Sequence, residues 1–148
     1  MVTLALALLL AQDPMVTGDR SVVSRCAISD DPAYGYGKDT PIRVGGTPLF
    51  GPARQRQYLA ALAGPAGQAI TFKRRGSLAP NADGLIIDLY EVTYAGLDKP
   101  IELYLDLYRW DPPRAPRGFV CARAIPLDPP AALPTNAGTR TTALISRC

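Results

Sequence analysis

Two stretches of the chain, residues 85–94 and 101–110, alternate between apolar and polar residues. Successive side chains of a strand point to opposite faces, so this alternation predicts two β-strands. The predicted core-facing rows are Leu85, Ile87 and Leu89 in the first strand and Leu103, Leu105 and Leu107 in the second. Residues 95–100 contain the glycine and proline of a hairpin loop. The favoured register places the two apolar rows side by side, and the tyrosine and aspartate rows side by side on the other face.

The polar face of this hairpin is the predicted recognition surface. Its residues are Asp88, Tyr90, Tyr104, Asp106 and Tyr108. Tyrosine and aspartate are also common on the solvated face of an antiparallel sheet, so the same pattern fits a face without a ligand. As a binding surface, it would suit an envelope protein or a glycan.

Residues 51–63 have the spacing of an amphipathic helix. Gly51 is an acceptable N-cap, Pro52 suits the first helical position, and Gly64 with Pro65 provides a stop. The predicted buried face consists of Tyr58, Leu59, Leu62 and Ala63. We expect this helix to lie on the sheet.

Shorter strands are predicted at residues 41–44, 69–75 and 118–122. The basic triplet at residues 73–75 is typical of an exposed strand edge, where charge discourages aggregation. Together these elements predict an α+β fold: a small antiparallel sheet of four to five strands with one amphipathic helix packed on one face.

The apolar run at residues 2–11 is long enough for a signal peptide and too short to span a bilayer. It predicts export to the periplasm or the medium, without a transmembrane span, although a buried element of a cytosolic domain is the alternative. The predicted organisation is a signal peptide (1–11), a connector (12–25), a single α+β domain (26–124) and a C-terminal tail rich in proline and alanine (125–148).

The three cysteines, Cys26, Cys121 and Cys148, are too far apart for a zinc ribbon or a Cys-x-x-Cys redox site. In an exported chain they predict one disulfide and one remaining thiol. Position favours Cys26 with Cys121, since both lie at the margins of the predicted domain, but the sequence leaves the other pairings open.

The formal net charge is only +3, and the basic residues are scattered, which argues against a nucleic-acid partner. The chain contains no histidine. This excludes Ser-His-Asp and Cys-His nucleophiles and histidine-based zinc sites, and we predict neither a metal nor another cofactor. A carboxylate pair drawn from Asp88, Glu91 and Asp106 could still support an enzyme acting on sugars or sugar acids.

Several short motifs occur in a recognisable order. They lie at residues 31–46, 51–59, 75–77, 90–94, 99–101 and 115–119. In this order they resemble a group of small bacterial envelope proteins and lipoproteins of unknown function, some of which carry the name 2-dehydro-3-deoxyphosphooctonate aldolase. The resemblance implies an exported domain and identifies no catalytic residue.

The residues do not support aldolase chemistry. A sugar-acid aldolase normally needs a (β/α)₈ barrel of about 250 residues and a Schiff-base lysine or a metal. This chain has 148 residues, and its three lysines, Lys38, Lys73 and Lys99, fall in predicted loops or at polar strand positions. We therefore expect a non-catalytic interaction module. A carboxylate-dependent enzyme and a purely structural periplasmic domain are the alternatives.

Overall fold

A computed structural model describes residues 23–131. Its elements in chain order are β1 (Ile42–Arg43), α1 (Gly51–Leu59), β2 (Leu62–Ala63), β3 (Ile70–Ser77), β4 (Asp88–Tyr94), β5 (Ile101–Asp106) and β6 (Val120–Cys121). Four strands form one sheet in the order β1-β5-β4-β3, and β2 pairs with β6 in a second, two-stranded sheet. The α+β class with a small sheet is confirmed. Because β1 runs parallel to β5, the larger sheet is mixed rather than wholly antiparallel.

The hairpin of β4 and β5 is present, but its predicted register is wrong. Tyr90 lies opposite Leu103, and Leu89 lies opposite Tyr104, so the apolar rows are not side by side. The reason is that β4 begins only at Asp88. The apolar residues 85–87 lie before the strand, and their alternation does not predict which face of the strand is buried, although Ile87 itself is fully buried.

One face of the larger sheet packs into the core. Tyr90 and Val92 of β4 are buried there beside Leu103 and Leu105 of β5. Asp88 shares this face and is only 2% exposed. A carboxylate therefore occupies a position on the side of the strand that faces the core, where it needs hydrogen-bond partners.

Helix α1 is shorter than predicted and ends at Leu59, with Ala60 as its C-cap. The next residues, Leu62 and Ala63, pair with β6 instead of continuing the helix. The buried residues of α1 are Gly51, Gln55, Tyr58 and Leu59. Tyr58 and Leu59 were predicted on this face, whereas the buried amide of Gln55 was not.

A disulfide joins Cys26 and Cys121, as predicted, with 5.5 Å between the Cα atoms. The bond links residues 95 apart in sequence. In the chain-entropy model, closing a loop of that length stabilises the fold by up to about 4–5 kcal/mol through the unfolded state.

Residues on both sides of the predicted 26–124 domain contact it. On the N-terminal side, the Arg25 N–H donates to the Cys121 carbonyl at 2.9 Å. On the C-terminal side, Leu127 belongs to the core and Arg54 donates to the Asp128 carbonyl at 2.6 Å. The first part of the predicted tail is thus packed on the domain. The predicted signal peptide, the rest of the tail and Cys148 lie outside the described residues.

Candidate functional site

The structure does not bring the predicted recognition residues together on one open face. Asp88 and Tyr90 are buried on the core side of β4, and Asp106 is completely buried. Tyr104 is half-buried beside Leu89 on the opposite face of the sheet, and Tyr108 follows the end of β5 and is 40% exposed. The expectation of a shared, solvated tyrosine and aspartate face is therefore wrong. The register of β4 and β5 is the reason, because it places Asp88 and Tyr90 on the opposite face of the sheet from Tyr104.

Asp106 supports the turn that follows β5. Its Oδ1 accepts hydrogen bonds from the backbone N–H groups of Tyr108 and Arg109, and its Oδ2 accepts one from Arg109 Nε at 2.8 Å. Arg109 also reaches Asp83 at 2.7 Å. With both oxygens bonded and no exposed surface, Asp106 is a structural group.

Asp88 ties the edge strand β3 to β4. Its Oδ1 accepts hydrogen bonds from Arg74 Nη2 and Ser77 Oγ, each at 2.7 Å. Burial by itself would raise the pKa of the Asp88 carboxyl. The hydrogen bonds from Arg74 and Ser77, together with the positive charge of Arg74, have the larger effect, and the pKa of Asp88 is lowered. Asp88 is thus held as a carboxylate.

The helix contributes to the same polar cluster through Gln55. Its Oε1 accepts a hydrogen bond from the Tyr90 hydroxyl at 3.0 Å, and its amide also helps to lower the pKa of Asp88. Gln55 Nε2 and Asp88 Oδ2 are nevertheless both buried without a partner of ordinary hydrogen-bond geometry among the described residues. Gln55 and Asp88 therefore form no hydrogen bond with each other in the structure.

On the opposite face of the sheet, a second carboxylate of β4 binds the edge strand. Glu91 pairs across the sheet with Lys73 and forms an ion pair with Arg75 at 2.9 Å. Its neighbour on the other side is Glu102 of β5. Two carboxylates side by side repel each other, so the cations of β3 stabilise this part of the sheet.

These contacts organise β3 as a basic edge strand. Within residues 23–131 it pairs with β4 and with no strand on its other side. The side chains of Arg74 and Arg75 remain about half exposed although each forms an ion pair. The prediction of an exposed strand edge at residues 73–75 is confirmed. We take the outer edge of β3, with the β4 carboxylates that hold its side chains, as the candidate functional site.

The arrangement of carboxylates does not favour the alternative of a sugar-acting enzyme. Such an enzyme needs two carboxyl groups facing one substrate. Asp88 and Asp106 are buried in ion pairs, and Glu91 lies on the other face of β4 from Asp88. In the described part of the chain, no cluster of three His, Cys, Asp or Glu side chains is suited to hold a metal.

Comparison with known proteins adds no relative. No family model matches the chain, and no curated protein or solved structure matches it either. Residues 23–131 contain no helix with the length and apolar character needed to span a membrane.

Proposed function

We propose that the domain is a non-catalytic interaction module of the bacterial envelope, which binds an acidic, extended segment of a partner protein beside β3. The observation that carries this proposal is the one-sided pairing of β3 among the described residues. An edge strand offers backbone N–H and C=O groups to an added strand, which is a common mode of peptide recognition.

The available edge has defined limits. Ala63 forms an isolated bridge with Ala69 just before β3, and a register shift between Arg74 and Gly76 interrupts the strand. Between these points lie five residues, Ile70 to Arg74. They span roughly 16 Å at the usual rise of a strand. A partner segment of similar length would pair without crossing the bulge.

The charge of β3 favours an acidic segment over a second copy of this domain. Lys73, Arg74 and Arg75 follow one another, and each retains exposed surface. Antiparallel pairing of two such strands would place cations near cations, which destabilises a sheet. Glutamate or aspartate on the incoming strand would instead meet basic groups.

A shallow hollow beside the edge adds a place for a side chain of the partner. It has a volume of about 220 Å³ and includes Thr71, Lys73, Thr93 and Pro100 in its lining. In strand addition, backbone hydrogen bonds supply affinity and such hollows supply specificity at alternate positions.

The envelope location is supported by the Cys26–Cys121 disulfide, since disulfides persist mainly in oxidising compartments. The predicted signal peptide also supports an envelope location. The absence of a shared cleft for Asp88, Glu91 and Asp106 supports binding over catalysis.

The experiment is an NMR titration of the oxidised, full-length chain with two short peptides, one alternating threonine and glutamate and one alternating threonine and lysine. We expect the acidic peptide to slow amide exchange between Ile70 and Arg74, and the basic peptide to leave it unchanged. Lys73→Glu should weaken acidic-peptide binding about tenfold, because an exposed attraction and the repulsion that replaces it are each worth about 0.5–1 kcal/mol. Salt should weaken binding as well.

The matched control is Lys38→Glu, which makes the same charge change at an exposed lysine away from the sheet edge. It should bind the acidic peptide with unchanged affinity. Equal binding of both peptides, or acidic-peptide protection that maps outside β3, contradicts strand addition. So does a complete lack of protection at millimolar peptide.

A further inference from the structure

A second concave surface lies away from β3. Its larger lobe has a volume of about 340 Å³ and is lined by Ser29, Asp31, Tyr34, Asp111, Pro112 and Arg114. A smaller lobe of about 210 Å³ shares Asp31, Tyr34 and Asp111 and adds Asp39, Thr40, Pro41 and Arg43. The two lobes adjoin each other at these three shared residues, and we call them together the Tyr34 cleft.

One wall of the Tyr34 cleft is fixed by the disulfide and by backbone hydrogen bonds. After Cys26, the Ala27 carbonyl accepts from the Ala115 N–H at 2.9 Å, and the Ser29 N–H donates to the Ala115 carbonyl at 2.8 Å. Asp31 Oδ1 then accepts from the Ala33 N–H at 2.8 Å. A wall held in this way costs little ordering entropy when a ligand binds.

Tyr34 stands at the junction of the two lobes. Its hydroxyl accepts a hydrogen bond from the Arg114 N–H at 3.4 Å, and its N–H donates to the Asp31 carbonyl. Burial raises the pKa of the Tyr34 phenol, which keeps the ring neutral. The cleft thus contains an aromatic ring in a fixed position, shared by both lobes.

Planar polar groups line the same cleft as Tyr34. Arg43 donates to Asp111 Oδ2 at 2.8 Å, and the Asp111 N–H donates to the Arg43 carbonyl at 3.2 Å. Among residues 23–131, the second carboxylate oxygens of Asp31 and Asp111 and the exposed Arg114 guanidinium form no hydrogen bond, so they can bind a ligand. The lining therefore offers both donors and acceptors.

We propose that the Tyr34 cleft binds a short neutral saccharide. A sugar ring presents hydroxyls that both donate and accept, together with a C–H face that packs on an aromatic ring, and the cleft supplies a counterpart to each. The larger lobe is within the range of about 300–1,000 Å³ usual for small-molecule sites, and the second lobe gives room for an adjoining unit. Three aspartates against two arginines line the cleft, which disfavours an anionic sugar.

This site shares no residue with the edge of β3, so either proposal can fail alone. The experiment is an NMR titration of the oxidised, full-length chain with cellotetraose, maltotetraose and N-acetylchitotetraose. At least one of them should shift the amide resonances of Asp31, Tyr34 and Asp111. Lys73→Glu, which weakens peptide binding at β3, should leave saccharide binding unchanged.

Variants separate recognition from folding. Tyr34→Leu removes the ring and should weaken saccharide binding at least tenfold, whereas Tyr34→Phe keeps the ring and should bind within a few-fold of the wild type. Arg114→Gln changes an exposed side chain, while the backbone bonds of residue 114 remain. It should also weaken binding, and it replaces Tyr34→Leu as the test if that variant does not fold. Tyr104→Leu, outside the cleft, is the control.

Three results overturn the proposal. One is the lack of any shift with all three saccharides at millimolar concentration. Another is unchanged binding by both Tyr34→Leu and Arg114→Gln. The third is a shift of the same amides by the diamine putrescine but by none of the saccharides, which would make the cleft a site for cations.

Discussion

Replacing Asp88 by asparagine tests whether the buried carboxylate holds β3 to β4. The substitution keeps the shape of the side chain and removes its charge. A hydrogen bond to a charged group is worth about 1.5–3 kcal/mol, and an ordinary one about 0.5–1.5 kcal/mol. Because the Arg74 side chain is 46% exposed and water solvates it, we discount its bond to about 1 kcal/mol and add about 1 kcal/mol for Ser77. Asp88→Asn should therefore lower the free energy of unfolding by about 2 kcal/mol near neutral pH.

The pH dependence follows from the lowered pKa of Asp88. The unfolded carboxyl titrates at its ordinary value of 3.8, and the folded carboxyl titrates below that. The stabilisation is thus fully present above the unfolded pKa and is lost as pH falls through the folded pKa. The gap in unfolding free energy between wild type and Asp88→Asn should narrow as the solution is acidified below pH 3.8.

The assay is urea denaturation followed by far-ultraviolet circular dichroism, repeated at decreasing pH. Asp98→Asn, at an exposed loop position, is the control and should match the wild type. A double-mutant cycle with Arg74→Met should return a coupling of about 1 kcal/mol at neutral pH. The reasoning is refuted if Asp88→Asn is as stable as the wild type, or if the gap between them does not change with pH.

Two other variants test the fold. Replacing both Cys26 and Cys121 by serine should lower the free energy of unfolding by about 2–5 kcal/mol, measured by urea denaturation. If a reducing agent destabilises the wild type by the same amount, the loss is due to the disulfide. An unchanged free energy of unfolding would contradict a structural role for the bond. Gly51→Ala should destabilise the domain by about 1–3 kcal/mol although alanine favours helices, because a Cβ at Gly51 would lie 2.5 Å from Leu107 Cβ. A thermal melt should show this destabilisation, and adding Leu107→Ala should relieve it if the clash is its cause. A Gly51→Ala variant that melts at a higher temperature than the wild type would contradict the clash.

The sequence predicts the existence of the hairpin better than its register. Alternation over residues 101–107 is regular, and Leu103 and Leu105 are buried as predicted. In the preceding strand, the leucines and the tyrosines alternate equally well, so either set could face the core. Burial of Tyr90 and Asp88 depends on partners that lie elsewhere in the chain, Gln55 and Arg74.

The predicted end of the helix is wrong for a related reason. Leu62 and Ala63 continue the apolar spacing of the helix, yet two apolar residues in succession also fit a short buried strand. Pairing with Val120 and Cys121 decides between these possibilities, and the disulfide at Cys121 holds that partner strand in place.

Of the residues that hold Asp88 and Tyr90 and that the sequence analysis did not identify, Gln55 had a detectable local signal. It lies three and four residues before Tyr58 and Leu59, on the same helical face. Ser77 meets Asp88 only because the register shifts between Arg74 and Gly76, which the sequence does not reveal. Much of the Tyr34 cleft is formed by irregular segments around residues 29–34 and 111–114, whose sequences have no hydrophobic periodicity.

Asp88 also determines how much of the edge is available to a partner. Its carboxylate binds Arg74 before the register shift and Ser77 after it, so both sides of the bulge are tied to β4. A bulge increases strand twist and ends regular pairing. If this tether were lost, β3 could straighten and offer a longer edge to other chains, with a greater tendency to aggregate. The same buried carboxylate that occupies a core position therefore restricts the regular part of β3 to a short, basic edge.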